Sequence, residues 1–133
     1  HSMAHKTGAA FSTGHIPHGC ANAIYLPFVI RYNAVKAGNR YADIARALGM
    51  EGSEESLVEQ LCAKIESLNK SMGIPATLKE FGIKEDEFKE KLPTIAKLAV
   101  EDACTGSNPR PITPEQMEQL LTCTYDGTKV NIA

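Results

Sequence analysis

No aspartate or glutamate occurs before Asp43, although the chain carries sixteen acidic residues in all. Residues 1–42 hold four basic side chains, no acid, and all four histidines: His1, His5, His15 and His18. The four cysteines (Cys20, Cys62, Cys104, Cys123) are far apart and form no C-x-x-C pair. That spacing excludes a disulfide scaffold and fits core or near-surface thiols in a reducing, cytoplasmic compartment. A basic excess is also missing. With net charge −2 and pI near 6.1, no nucleic-acid partner is expected, because phosphate binding needs a positive surface. No apolar leader opens the chain: histidines, Gly8, Gly14 and Pro17 stand where one would lie. Nor is there a membrane span. Thr7 to Ile30 carries no charged side chain, but Gly14, Pro17, Gly19 and Pro27 interrupt it, far short of the roughly 20 apolar residues a span needs.

What is present suits one packed domain. The chain has 133 residues, 43% of them hydrophobic and 23% charged, enough for a core and too apolar for disorder. Residues 1–6 fit the end of a helix closed near Gly8, and residues 8–18 read as a loop. Gly19 to about Lys36 reads as a helix bent at Pro27. A strand pair over Ile24–Ile30 is the alternative, weakened because proline deletes a ladder hydrogen bond. This helix is apolar nearly all round and so expects protein on every side. Asn39–Leu48 suits a short separate helix stopped by Gly49, with Tyr41, Ile44, Ala45 and Leu48 on one face.

Ser53 caps the next helix, with Glu54 and Glu55 in its first turn. Its inward stripe is Leu57, Leu61, Ile65, Leu68 and Met72, and Gly73 ends it. Thr77–Glu80 has capping-box spacing. Lys84–Cys104 is expected to be a long helix kinked at Pro93, with Phe88, Leu92, Ile95, Leu98 and Ala99 inward. Asn108-Pro-Arg110 suits a turn with a salt bridge to a neighbouring domain. Thr113-Pro-Glu-Gln is a second capping box, opening a last helix through Leu120, Leu121 and Thr124 to Gly127. Nothing alternates with period two. The fold class is all-α, a helical bundle.

The histidines carry the chemistry. His1 and His5, four apart, share a helix face, and a glycine-containing loop can bring His15 and His18 back toward them. Neutral imidazoles ligate iron, zinc, copper and nickel. By spacing alone the cluster is either a metal site needing oxygen ligands from elsewhere or a set of surface histidines.

His1-Ser-Met-Ala-His5-Lys-Thr-Gly8 and His15-Ile-Pro-His18-Gly19-Cys-Ala-Asn-Ala23 resemble the signature of the iron-containing alcohol dehydrogenases. Tyr25-Leu-Pro-Phe-Val-Ile-Arg-Tyr-Asn33 and Cys104-Thr-Gly-Ser-Asn-Pro-Arg110 resemble in particular the alcohol dehydrogenase half of the bifunctional aldehyde–alcohol dehydrogenases. The resemblance implies that residues 1–133 are the C-terminal part of that family's helical metal and substrate domain. It further implies an ion, Fe2+ or sometimes Zn2+, held by one Asp and three His. His1 and His18 match two of those ligands; the Asp and the third His would lie upstream. His5 matches a catalytic histidine that positions substrate or relays a proton, while His15 matches no metal role. NAD(H) would be bound by an upstream nucleotide-binding domain, since no glycine-rich phosphate loop occurs here.

Ser12-Thr-Gly14 looks like an insertion between His5 and His18. The implied reaction interconverts a small aldehyde and a primary alcohol, acetaldehyde and ethanol, in a full-length homo-oligomer. The chain alone is expected to be inactive and to bind iron weakly. A small helical zinc-binding or protein-interaction module is the alternative.

Overall fold

Helix starts with side-chain acceptors and helix ends with glycine recur along the chain, and both are used. A computed structural model describes residues 1–8, 10–11 and 16–132. Six α-helices occur among them: α1 (Ser2–Thr7), α2 (His18–Ala47), α3 (Glu54–Ser71), α4 (Leu78–Phe81), α5 (Glu85–Glu101) and α6 (Pro114–Asp126). A 3-10 turn, Ala103–Ser107, separates α5 from α6. Among the described residues there is no strand, and Ile24–Ile30 lies inside α2. His15 and the Ser12-Thr-Gly14 insertion lie outside the described residues.

The side-chain caps form as the sequence predicts, but the Thr77 box is only half made, since Glu80 Oε2 accepts from Ala76 N at 3.0 Å in place of Thr77 N. Ser53 Oγ accepts from Ser56 N at 3.2 Å, and Thr77 Oγ1 accepts from Glu80 N at 3.0 Å. Thr113 makes both halves of its box: its hydroxyl accepts from Gln116 N while Gln116 Oε1 accepts from Thr113 N, with Pro114 opening the helix. Gly73 and Gly127 follow α3 and α6 with φ of 75° and 77°, a left-handed conformation in which a Cβ would be strained. Gly8 differs: it stays right-handed, at φ −52°.

The expected break between residues 36 and 39 is only a kink. α2 runs on to Ala47 and absorbs the bend at Ala37 (φ −121°, ψ 19°). Pro27 does not end the helix either. Its missing N–H leaves the Ala23 carbonyl without a helical donor, and the Asn69 side-chain amide of α3 donates to that carbonyl at 2.8 Å. The buried Cys62 thiol meets the Pro27 carbonyl itself at 3.6 Å.

Two cores result. The larger joins α1, α2, α5 and α6 through residues such as Ile24, Tyr32, Phe88 and Leu121. In it the Phe88 and Tyr125 rings stack at 4.4 Å. The smaller lies between α2 and α3, around Ala42, Ala45, Leu57 and Cys62.

Several expected core positions point outward instead. Leu68, Met72 and Leu98 are 48%, 64% and 42% exposed, and Ile44 and Leu48 are exposed as well. On α3 the buried face runs through the expected Leu57 and Leu61 together with Val58, Cys62 and Asn69, and in the last turn an amide, not a leucine, meets the orphaned Ala23 carbonyl. Arg110 also departs from expectation. Far from reaching a neighbouring domain, it is buried and donates to the Tyr32 and Ile132 carbonyls at 2.9 and 2.8 Å, its guanidinium 4.1 Å from the Tyr32 ring centroid. Beside it, Asn33 and Asn108 exchange side-chain amide bonds of 2.9 and 2.8 Å. No helix among the described residues is long and apolar enough to cross a membrane.

Candidate metal centre

Three elements meet at one end of the molecule. His1, the N-cap residue of α1, and His5 within it lie one turn apart, with the His5 amide bonded to the His1 carbonyl at 2.8 Å. His18 opens the long α2, whose first turn is a rigid support. The connecting segment is pulled back where the Ile16 amide donates to the Gly8 carbonyl at 2.9 Å, with Phe11 and Ile16 buried as anchors. Below α1, the Tyr25 hydroxyl of α2 bonds Thr7 Oγ1, which in turn bonds the Met3 carbonyl, fixing the short helix to the long one. Burial pushes the Tyr25 phenol well above its usual range, so this link stays an O–H donor.

The result brings the predicted histidines together. The His1 ring centroid lies 5.9 Å from His5 and 5.3 Å from His18; His5 and His18 are stacked at 5.3 Å with planes 12° apart. One ring nitrogen from each lies within 4.8 Å of the others. All three side chains are exposed. Around a tetrahedral divalent ion with metal–nitrogen bonds of about 2.1 Å, nitrogens stand about 3.4 Å apart, a distance within reach of small ring rotations here. Imidazole nitrogens are borderline donors suited to iron or zinc, so the donor set fits such an ion. The side-chain amide of Asn22 donates to His18 Nε2 at 3.1 Å, which suits a neutral ring.

The acid-free first 42 residues hid a carboxylate that the fold supplies. Asp102, at the end of α5, places Oδ2 3.0 Å from His5 Nδ1 and 3.5 Å from Lys6 Nζ. Its Oδ1 accepts from the Cys104 amide at 2.9 Å and lies 3.4 Å from Ser2 Oγ. Thr105 Oγ1 is 2.6 Å from both Ser2 Oγ and the Ala99 carbonyl, tying the 3-10 turn to α1. The Cys104 amide first, and His5 second, hold the Asp102 carboxyl far below its ordinary value. Asp102 is therefore an ionised acceptor, and it ends α5 three residues earlier than periodicity suggests, because its extended backbone caps the turn that follows. The exposed Cys104 completes a second close group with His5 and Asp102. The only hint of this in the sequence was that Cys104–Arg110, which begins two residues after Asp102, shared in the family resemblance.

Residues 1–125 match the family model described as the Fe-containing alcohol dehydrogenase family, C-terminal. The chain is 53% identical over 132 residues to the NADPH-dependent butanol dehydrogenase of Clostridium saccharobutylicum, covering 98% of this chain and 33% of that protein. It is 38% identical over 145 residues to the bifunctional aldehyde–alcohol dehydrogenase of Escherichia coli (strain K12), covering 96% of this chain and 16% of that one. A crystal structure of 1,3-propanediol oxidoreductase superposes with a TM-score of 0.82 at 32% identity, over 94% of this chain and 32% of its own. The chain thus spans a third or less of the relatives it matches. It belongs to the iron-containing alcohol dehydrogenase family.

Proposed function

We propose that this chain is the C-terminal part of the helical metal and substrate domain of a nicotinamide-dependent alcohol dehydrogenase. His1 and His18 are two of its metal ligands. The observation that carries this reading is the convergence of the His1, His5 and His18 rings, 5.3 to 5.9 Å apart by centroid. By resemblance, an Asp and a third His join them from polypeptide N-terminal to His1, where the nucleotide-binding domain also lies. When bound, Fe2+ or Zn2+ supplies Lewis acidity toward the oxygen of the alcohol or aldehyde. His1 and His18 contribute neutral nitrogens from supports fixed by α1 and α2. His5, within the same cluster and backed by Asp102, moves the proton at Nε2.

The substrate is a short-chain aldehyde or its primary alcohol, with acetaldehyde and ethanol the pair that the bifunctional relatives suggest, and NAD(H) the hydride carrier. Identity to a butanol dehydrogenase that uses NADPH puts butyraldehyde and NADPH into the same test. The protein acts as a homo-oligomer in a reducing cytoplasm; Leu26 and Val35, apolar and exposed on α2, support a further contact there.

A chimera provides the test. Residues 1–133 replace the equivalent third of the Clostridium butanol dehydrogenase, and reduction of acetaldehyde and butyraldehyde is measured with NADH and NADPH. Turnover is expected in the chimera and a loss of at least about 100-fold in His1→Ala and His18→Ala. The isolated 133-residue chain with ferrous iron should show none. Full turnover in either alanine variant, or in the isolated chain, overturns the proposal.

A further inference from the structure

His5 and Asp102 define a relationship that the metal-ligand reading does not need. A carboxylate can only accept hydrogen bonds, and Asp102 is held ionised by four donors: the Cys104 amide, His5, Lys6 and the Ser2 hydroxyl. At 3.0 Å from Asp102 Oδ2, His5 Nδ1 must therefore carry the hydrogen. The only lone pair of the neutral ring is then at Nε2. Lys6 cannot substitute for this, because an ammonium group only donates. Among the described residues no other acceptor is recorded for the His5 ring.

We propose that Asp102 is a positioning residue that locks His5 in its Nδ1–H tautomer, so that the ring meets the His1–His18 cluster and substrate as an acceptor at Nε2. The importance of that tautomer rests on the proton-moving role given to His5 above; the tautomer itself does not. The cap geometry makes the idea unusually testable. Asp102→Asn keeps one oxygen for the Cys104 amide, and that bond fixes which way the side-chain amide points. Flipping it would set an NH2 against the Cys104 N–H. The variant therefore turns a donor toward His5 Nδ1 and demands the opposite tautomer, while the cap remains.

The experiment is 15N NMR of the histidine-labelled 133-residue chain, in chelator, at a pH where imidazoles are neutral. The wild-type His5 should show a protonated Nδ1 and an unprotonated Nε2. Asp102→Asn should exchange the two signals, and Lys6→Gln, which removes charge but not the acceptor, should leave them in place. A wild-type His5 protonated at Nε2 overturns the proposal, even if the asparagine variant does not fold. So does a folded Asp102→Asn that keeps the Nδ1–H form, or a Lys6→Gln that loses it. None of these readings depends on metal or turnover, so a failed chimera assay leaves them intact.

Discussion

The Asn69 side chain donates at 2.8 Å to the Ala23 carbonyl, the one acceptor in α2 that Pro27 deprives of its helical partner. An unsatisfied buried carbonyl costs about 1–3 kcal/mol. Asn69→Ala should therefore lower stability by about that much in denaturant unfolding. In a Pro27→Ala background, where the helix regains its own donor, the same change should cost far less. Equal costs in the two backgrounds would show that Asn69 works in some other way.

Arg110 is the second internal bolt. Its two carbonyl bonds tie mid-α2 to the C-terminal residues, with the cation over the Tyr32 ring. Lysine has the charge but not the rigid fork. Arg110→Lys should cost about 1.5–3 kcal/mol, lowering the melting temperature by on the order of 10 °C for a chain of this size. An unchanged melting curve would contradict this.

Burial pushes the Cys62 thiol from 9.0 up to about 11. The folded state holds this proton more tightly than the unfolded one. Its contribution is thus complete below pH 9.0 and lost as pH rises toward about 11. Cys62→Ala should flatten the stability profile over that window, leaving the later loss from Tyr25, whose phenol burial also raises. A profile that is unchanged by the substitution would rule out this assignment.

Metal should do little for the stability of the chain alone. Two ligands bind weakly, and an ion present at its own dissociation constant stabilises by only about 0.4 kcal/mol. Zinc or ferrous iron should thus raise the melting temperature by about 2 °C at most. A rise several times larger, abolished by His18→Ala, would favour a structural zinc module.

The helices were legible wherever local chemistry decides: Thr113 and Gln116 announce their box, and Gly73 and Gly127 their stops. Faces were less so. A stripe of Leu61, Ile65, Leu68 and Met72 looks inward on paper. Leu61 is indeed buried, but Leu68 and Met72 have drifted outward. The last inward position is Asn69, which serves the carbonyl that Pro27 leaves unpaired one helix away. The histidine cluster was visible through its spacing. Asp102 was not, since nothing local ties it to His5, 97 residues earlier. Arg110 misled because arginine is usually an exposed residue, and its carbonyl partners are 78 and 22 positions away.

That separation of 97 has a consequence for biosynthesis. A ribosome delivers the three imidazoles before the carboxylate that steadies the middle one, which emerges only after α5 is complete. Until then α1 lacks both Asp102 and its apolar neighbours on α5, and contacts of long sequence separation form late. Nascent chains should therefore acquire an ordered histidine cluster only once α5 and the turn after it have emerged, so the surrounding helices and the cluster take shape together.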